Sequence, residues 1–298
     1  MSANGDRLDG PEPLAQEKGR GERSSTKIWR DLGPRAASGV VLIALALASL
    51  WRGGAPFVIF WLIAALGLLW EWQRMIGGSR LLARVAVGAV FLAVCADLAS
   101  RTAPNAAINA ALLGAVVLAA IAEPGRRIWS GCGLIYAAAP VIAICVLRAS
   151  IFDGTQAVLW LFAVVWGADV MAYFGGRLIG GPKLWPQVSP SKTWAGFLVG
   201  VSFGALLGAM ILEATHVPIG EGAALALGAV IGAVSQAGDL FESSVKRHFG
   251  AKDSGRLIPG HGGLMDRLDG FIAAATFAAI VGVLRAGAAA AGLGLLRW

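Results

Sequence analysis

"GVVLIALALASLWRGGAPFVIFWLIAALGLLWEWQ", residues 39–73, decides the fold class. Two apolar runs, 36–52 and 55–73, meet at the turn-forming pair Gly53-Gly54. A helix of about 20 apolar residues crosses the roughly 30 Å hydrocarbon layer of a bilayer. The stretch therefore reads as two successive membrane spans.

The same reading extends along the 298-residue chain, with further spans at 81–100, 105–122, 131–149, 156–175, 194–214, 222–241 and 270–296. Only 14% of the residues are charged and 57% are hydrophobic, with a mean hydropathy of +0.69. A soluble domain carries about 25% charged residues. The expected fold is all-α, a polytopic integral membrane protein of nine transmembrane helices. Residues 1–30 are polar and too poor in apolar side chains to offset their ordering entropy, so they read as a flexible tail. Residues 31–150 form an N-terminal set of helices and residues 151–298 a C-terminal set. The patterns "GVSFG" (200–204), "GALLG" (204–208) and "GAVIG" (228–232) place small residues four apart, the spacing that lets helix backbones approach closely in lipid.

The net charge of +7 invites a nucleic-acid reading. Zinc-finger spacing, RNP-like aromatics and a long basic stripe are all missing, so no nucleic acid is expected. In a membrane protein the excess Lys and Arg marks cytoplasmic loops. With a cytoplasmic N-terminus and nine alternating spans, twenty Lys/Arg fall on that side against four opposite, with Arg285 inside the last span. Both long polar loops, 176–193 and 242–269, then face the cytoplasm. Cys95, Cys132 and Cys145 lie separately in apolar runs and give neither a disulfide framework nor a metal motif.

The polar residues gather toward the C-terminal half. Asp169 stands in "WGADVMAYFGGR" and Asp239 late in "GAVSQAGDLFESSVKR"; carboxylates at membrane depth are expensive and by default functional. If the eighth span continues as a helix, Asp239, Glu242, Ser243 and Lys246 at i, i+3, i+4 and i+7 share one face. Acid, hydroxyl and ammonium on one stripe suit a hard cation together with a phosphate. A solvated helix end is the competing explanation. Asp266 and Asp269, three apart in "LIPGHGGLMDRLDG" (257–270), share one side at the start of the last span and bracket Arg267. Acids there also suit the helix dipole alone. Gly260, Gly262 and Gly263 allow close backbone approach to a phosphate. His261 is either a phosphate or proton-transfer group or a structural hydrogen-bonding one. Lys252, Asp253 and Arg256 continue the polar loop. In "VSPSKTWAG" (188–196), Ser189, Ser191 and Lys192 are either phosphate or headgroup contacts or helix-capping residues. A second "DRLDG", at 6–10, lies in the tail, where it has no fixed geometry. Acidic ligands, basic groups and a membrane location together point to phosphoryl or nucleotidyl transfer onto a lipid.

The run "SSVKRHFGAKDSGRLIPGHGGLMDRLD" (243–269) resembles the signature of the phosphatidate cytidylyltransferase (CDP-diacylglycerol synthase) family. The resemblance rests on Ser243, Lys246-Arg247, Lys252-Asp253, Pro259, His261-Gly262-Gly263, Asp266-Arg267 and Asp269. "ADVMAYFGGR" and "SPSKTWAG" resemble two upstream family segments in the same order. Val170 stands where the family usually has Thr, and Ala195 where it usually has Glu. The resemblance implies Mg²⁺-dependent transfer of CMP from CTP to phosphatidic acid, giving CDP-diacylglycerol and pyrophosphate. It implies metal ligation by Asp239, Asp266 and Asp269. It also implies phosphate contacts from Ser243, Lys246, Arg267 and Lys192, with Asp169, Ser189, Ser191, Arg247, Lys252, Asp253 and His261 lining the substrates. Expected partners are CTP, phosphatidic acid and the bilayer, with a homodimer allowed, in a bacterial inner membrane with the site facing the cytoplasm. A cytidylyltransferase for another lipid phosphate is the near alternative, and an ion-coupled transporter using Asp169 and Asp239 the distant one. Against the transporter, no pair of Gly/Pro-broken spans stands in corresponding halves.

Overall fold

The computed structural model describes residues 38–255, 257–258 and 262–298. The polar tail with its copy of DRLDG, and also His261, lie outside the described residues. Eight helices among the described residues are long and apolar enough to cross a membrane. They are α2 (Gly54–Ile76), α3 (Leu81–Ser100), α4 (Pro104–Ile121), α5 (Arg127–Arg148), α6 (Gly154–Leu178), α7 (Trp194–Ala214), α8 (Glu221–His248) and α9 (Met265–Ala286). A shorter apolar helix, α1 (Ser38–Arg52), precedes them. Large apolar side chains such as Ile63, Val116 and Leu284 point outward from the bundle, as a lipid-facing surface requires. The protein is an integral membrane protein.

Two features depart from the sequence reading. The apolar run 270–296 is not one span. It ends at Ala286, where Gly287 takes a positive φ of 75°, and a short helix α10 (Ala291–Leu296) folds back against α9. Gly282 and Gly294 permit that return, since a Cβ on either would strike backbone of the other segment. The helical fold also carries a small antiparallel hairpin, β1 (Lys183–Trp185) with β2 (Ser189–Thr193). Thr193, rather than Ser189 or Ser191, caps α7, its Oγ1 accepting the Gly196 N–H at 3.1 Å.

Successive helices alternate in direction, and side-chain contacts pin both ends of the bundle. At one end Arg148, closing α5, donates from Nε to the Leu50 carbonyl at 3.1 Å, and Arg297 pairs with Asp153 at 2.7 Å. At the other end Gln73, closing α2, accepts from Arg84 of α3 (2.9 Å) and Ser130 of α5 (3.0 Å). Glu123, after α4, accepts from the Ser79 N–H before α3 at 2.9 Å. The second end also gathers the C-termini of α6 and α8 and the N-termini of α7 and α9.

Lipid tails are as apolar as leucine, so these helices associate through close packing rather than hydrophobic transfer. The tightest seam is α6 against α7. Gly196, Gly200, Gly204 and Gly208 line one face of α7, and a Cβ on Gly200 would sit 2.6 Å from the Ala168 carbonyl oxygen. On Gly204 it would sit 2.7 Å from that of Val164. The GAVIG segment makes a looser contact, with Gly228 against Ala205 and Gly232 against Val201. The small-residue patterns are packing surfaces, and by holding α6, α7 and α8 together they fix where Asp169, Lys192 and Asp239 stand.

Candidate active site

Helix α8 continues to His248, so Asp239, Glu242, Ser243 and Lys246 do share one face. Its consequences differ along its length. The Ser243 hydroxyl lies 3.4 Å from Asp239 Oδ1 and donates to it. Lys246 reaches across to α9 and donates from Nζ to Asp266 Oδ1 at 2.7 Å. The same ammonium lies 2.7 Å from Glu242 Oε2. Glu242 is 0% exposed and neither of its oxygens accepts a well-directed hydrogen bond among the described residues. The Lys246–Glu242 contact is thus charge neutralisation without directional bonding, and the strong bond of Lys246 is the one to Asp266.

The hairpin brings Lys192 to the opposite side of the site. Its ammonium pairs with Asp239 Oδ2 at 2.6 Å and donates to Gln236 Oε1 at 3.1 Å. Gln236 in turn donates from Nε2 to Asp169 Oδ1 at 3.1 Å. A polar chain Asp169–Gln236–Lys192–Asp239 therefore joins α6, α8 and β2. Asp269 accepts the Gly270 N–H at 2.8 Å and faces the same space.

That space is a cavity of about 510 Å³ at this end of the bundle. Asp169, Ser191, Lys192, Asp239, Asp266, Arg267 and Asp269 line it, together with Arg177 and Tyr173, whose hydroxyl accepts from Arg177 at 2.6 Å. The fold thus brings seven of the expected site residues to one cavity. It leaves others outside. Arg247 is exposed and its guanidinium turns toward its own loop at Ala251. Lys252 and Asp253 are exposed on that loop, and Ser189, Ser243 and Lys246 stand beside the cavity without lining it.

Two functional positions were not legible beforehand. Gln236 sits one helical turn before Asp239, and that spacing was the available signal. Glu71 is the more telling case, an acid near the end of an apolar span. It is 1% exposed, and three donors converge on it from the far part of the chain: Met265 N–H at 2.8 Å, Leu264 N–H at 3.0 Å and Ser254 Oγ at 3.1 Å. Leu264 offers no side-chain cap to α9, so Glu71 takes the place of one from another helix. The adjacent loop needs glycine for room. A Cβ on Gly255 would strike the Glu71 carboxylate, and one on Gly263 would strike Ser254 Oγ and lie 2.8 Å from Asp266 Oδ2. Asp266 is held in that setting by the N–H groups of Ser254 (3.1 Å) and Gly263 (3.2 Å).

A profile of the cytidylyltransferase family matches residues 34–284. Proteins named phosphatidate cytidylyltransferase from Brucella abortus and Brucella melitensis are 37% identical over 256 residues, covering 85% of this chain and 94% of theirs. The chain belongs to the cytidylyltransferase family. A protein of the same name from Staphylococcus haemolyticus is 43% identical over 120 residues, 40% of this chain and 46% of its own.

The divalent cation that the sequence resemblance implies can be tested against the lining of this cavity. Its donor set is carboxylate oxygen, which suits a hard cation. Two of the four aspartates are engaged by lysines at 2.6 and 2.7 Å. No three His, Cys, Asp or Glu side chains among the described residues are gathered closely enough to hold an ion by themselves. The arrangement fits an ion that completes its shell with substrate phosphates and water, which is the habit of Mg²⁺.

Proposed function

We propose that this protein transfers CMP from CTP to phosphatidic acid, releasing pyrophosphate and leaving CDP-diacylglycerol in the membrane. The observation that carries the reading is the pairing of lysines with aspartates at the end of a membrane bundle: Lys192 and Asp239 line one cavity together, and Lys246 holds Asp266, a third lining residue, from beside it. Two polyanionic reactants must meet there, and the charge they bring has to be balanced on both sides. The names of the relatives supply the nucleotide and the lipid.

In the reaction a phosphate oxygen of the lipid forms a bond to the α-phosphorus of CTP while the bond from that phosphorus to the β-phosphate oxygen breaks. The electron pair leaves with pyrophosphate. The lipid supplies the nucleophile, so the protein needs no covalent intermediate. Lys192 and Lys246 exchange part of their aspartate contacts for phosphate oxygens, and Arg267, on the cavity wall, orients the lipid phosphate. Asp239 and Asp266, with Asp269 beside them, would hold Mg²⁺. When bound, the ion neutralises the triphosphate and polarises the reacting phosphoryl group. The excess of Lys and Arg at the cavity end of the bundle supports placing that end in the cytoplasm of a bacterial inner membrane, where CTP is available.

The test is direct. Purified protein in detergent receives CTP, phosphatidic acid and Mg²⁺, and pyrophosphate and CDP-lipid are followed, with Asp266→Asn alongside. Product from the parent and none from the folded variant supports both reaction and site. Product from both removes Asp266 from its essential role, and a folded but silent parent sinks the reading.

A further inference from the structure

Arg267 lines two spaces at once. One is the polar cavity; the other is an apolar groove of about 290 Å³ bounded by α1, α2, α6 and α9. The groove is rigid on one side. Trp61 stacks on Phe271 with ring centroids 5.0 Å apart, and Phe162 stacks on Trp166 at 4.7 Å. Small residues open its other side, Gly39 and Ala46 of α1 and Ala64 of α2.

We infer that this groove seats an acyl chain of the lipid-phosphate substrate, with Arg267 as the hinge point between headgroup and chain. The inference rests on the reading above that the substrate is a lipid phosphate. Three observations favour that occupant. First, Arg267 lines both the groove and the cavity, so a lipid whose phosphate meets that side chain in the cavity has the groove beside it for a chain. An arginine suits that place, because its apolar stem can lie along the groove while its guanidinium stays with the phosphate. Second, the depth suits a chain segment. Gly67 stands level with the start of α9, where a Cβ would lie 2.6 Å from Leu264 Cδ2. Phe60 lies two turns further down α2, about 10 Å at 1.5 Å per residue. An extended chain advances about 1.2 Å per bond, so roughly eight carbons fit that distance. Third, a comparison groove exists on the other side of α9. It is also about 290 Å³, is walled by α4 and α5, and shares no residue with the polar cavity. A chain there has no path to a headgroup at the site.

The experiment uses the full-length parent in nanodiscs. Phosphatidic acid carrying a photoreactive diazirine near one chain end is crosslinked, and labelled peptides are mapped. Label is expected on α1 and α2, around Leu42 to Ala46 and Phe60 to Ala64, and it should fall with excess unlabelled phosphatidic acid but not with phosphatidylcholine. Label on α4 and α5 alone overturns the inference. So does label that phosphatidylcholine removes equally well, which marks ordinary bulk lipid. In parallel, Ala64→Trp narrows the groove. The preference for dipalmitoyl over dihexanoyl phosphatidic acid, as the ratio of kcat/KM values, should fall by about fivefold or more, equivalent to about 1 kcal/mol. An unchanged ratio in folded variant overturns the inference, and the labelling decides alone if the variant does not fold. Label in the groove from a parent that makes no CDP-lipid sinks the transferase reading and leaves the groove standing.

Discussion

Replacing Glu71 should disable a site whose cavity it does not line. Its carboxylate is the acceptor for three donors, the Ser254 hydroxyl and the N–H groups of Leu264 and Met265, all between 2.8 and 3.1 Å. Hydrogen bonds to charged groups contribute about 1.5–3 kcal/mol each. Desolvation of the buried carboxylate offsets part of that sum, but its removal leaves up to three donors unpaired at about 1–3 kcal/mol each, so a net cost of about 3–5 kcal/mol is expected. Glu71→Ala is expected to lose stability in that range. Its activity should fall further than its folded fraction does, because Ser254 and Gly263 also hold Asp266. A displacement of about 1 Å at a reacting centre costs about a hundredfold in rate. Glu71→Gln retains one carbonyl oxygen and should fall between parent and alanine. The cleanest measurement is a double-mutant cycle with Gly255→Ala, whose new Cβ would strike the same carboxylate. Thermal unfolding in detergent and pyrophosphate release are both followed. Gly255→Ala should be damaging in the parent and nearly neutral on the Glu71→Ala background, a coupling on the order of 1–3 kcal/mol. Parental stability and kcat in Glu71→Ala, or strict additivity in the cycle, would refute the reasoning.

Other outcomes follow from the same geometry. Lys246→Met leaves Glu242 fully buried without a counter-charge and Asp266 without its ammonium; a loss of about 3–5 kcal/mol in unfolding free energy and loss of activity are expected. Lys192→Ala leaves Asp239 without its counter-charge, but that carboxylate is 31% exposed and can be solvated, so unfolding should move by about 1 kcal/mol or less while kcat/KM for CTP falls by about a hundredfold. Chelation should abolish pyrophosphate release and added Mg²⁺ restore it, with Asp239→Asn shifting the Mg²⁺ requirement upward in a titration. Gly200→Leu would drive a side chain into the Ala168 backbone and separate α6 from α7, lowering thermal stability by about 1–3 kcal/mol or preventing folding.

The sequence by itself determined the membrane class, because apolar runs of spanning length are a local property that no packing detail can reverse. It also determined the shared face of α8, since the 3.6-residue period puts Asp239, Ser243 and Lys246 together wherever the helix lies. The break of the final apolar run at Gly287 was less legible, because the alanine-rich segment beyond it is as apolar as a span. The hairpin at Ser189–Thr193 was hidden for a similar reason, since serine and threonine before a helix read equally well as caps. Only the tertiary structure decided which charges meet. Glu71 lies 183 positions from Ser254 and 194 from Met265, and Gln236 lies 67 from Asp169. Lys246 could have served Glu242 alone, and reaches Asp266 because α8 and α9 pack side by side. Periodicity along one helix is written in neighbouring residues, whereas the meeting of two helices depends on every small residue that lets them approach.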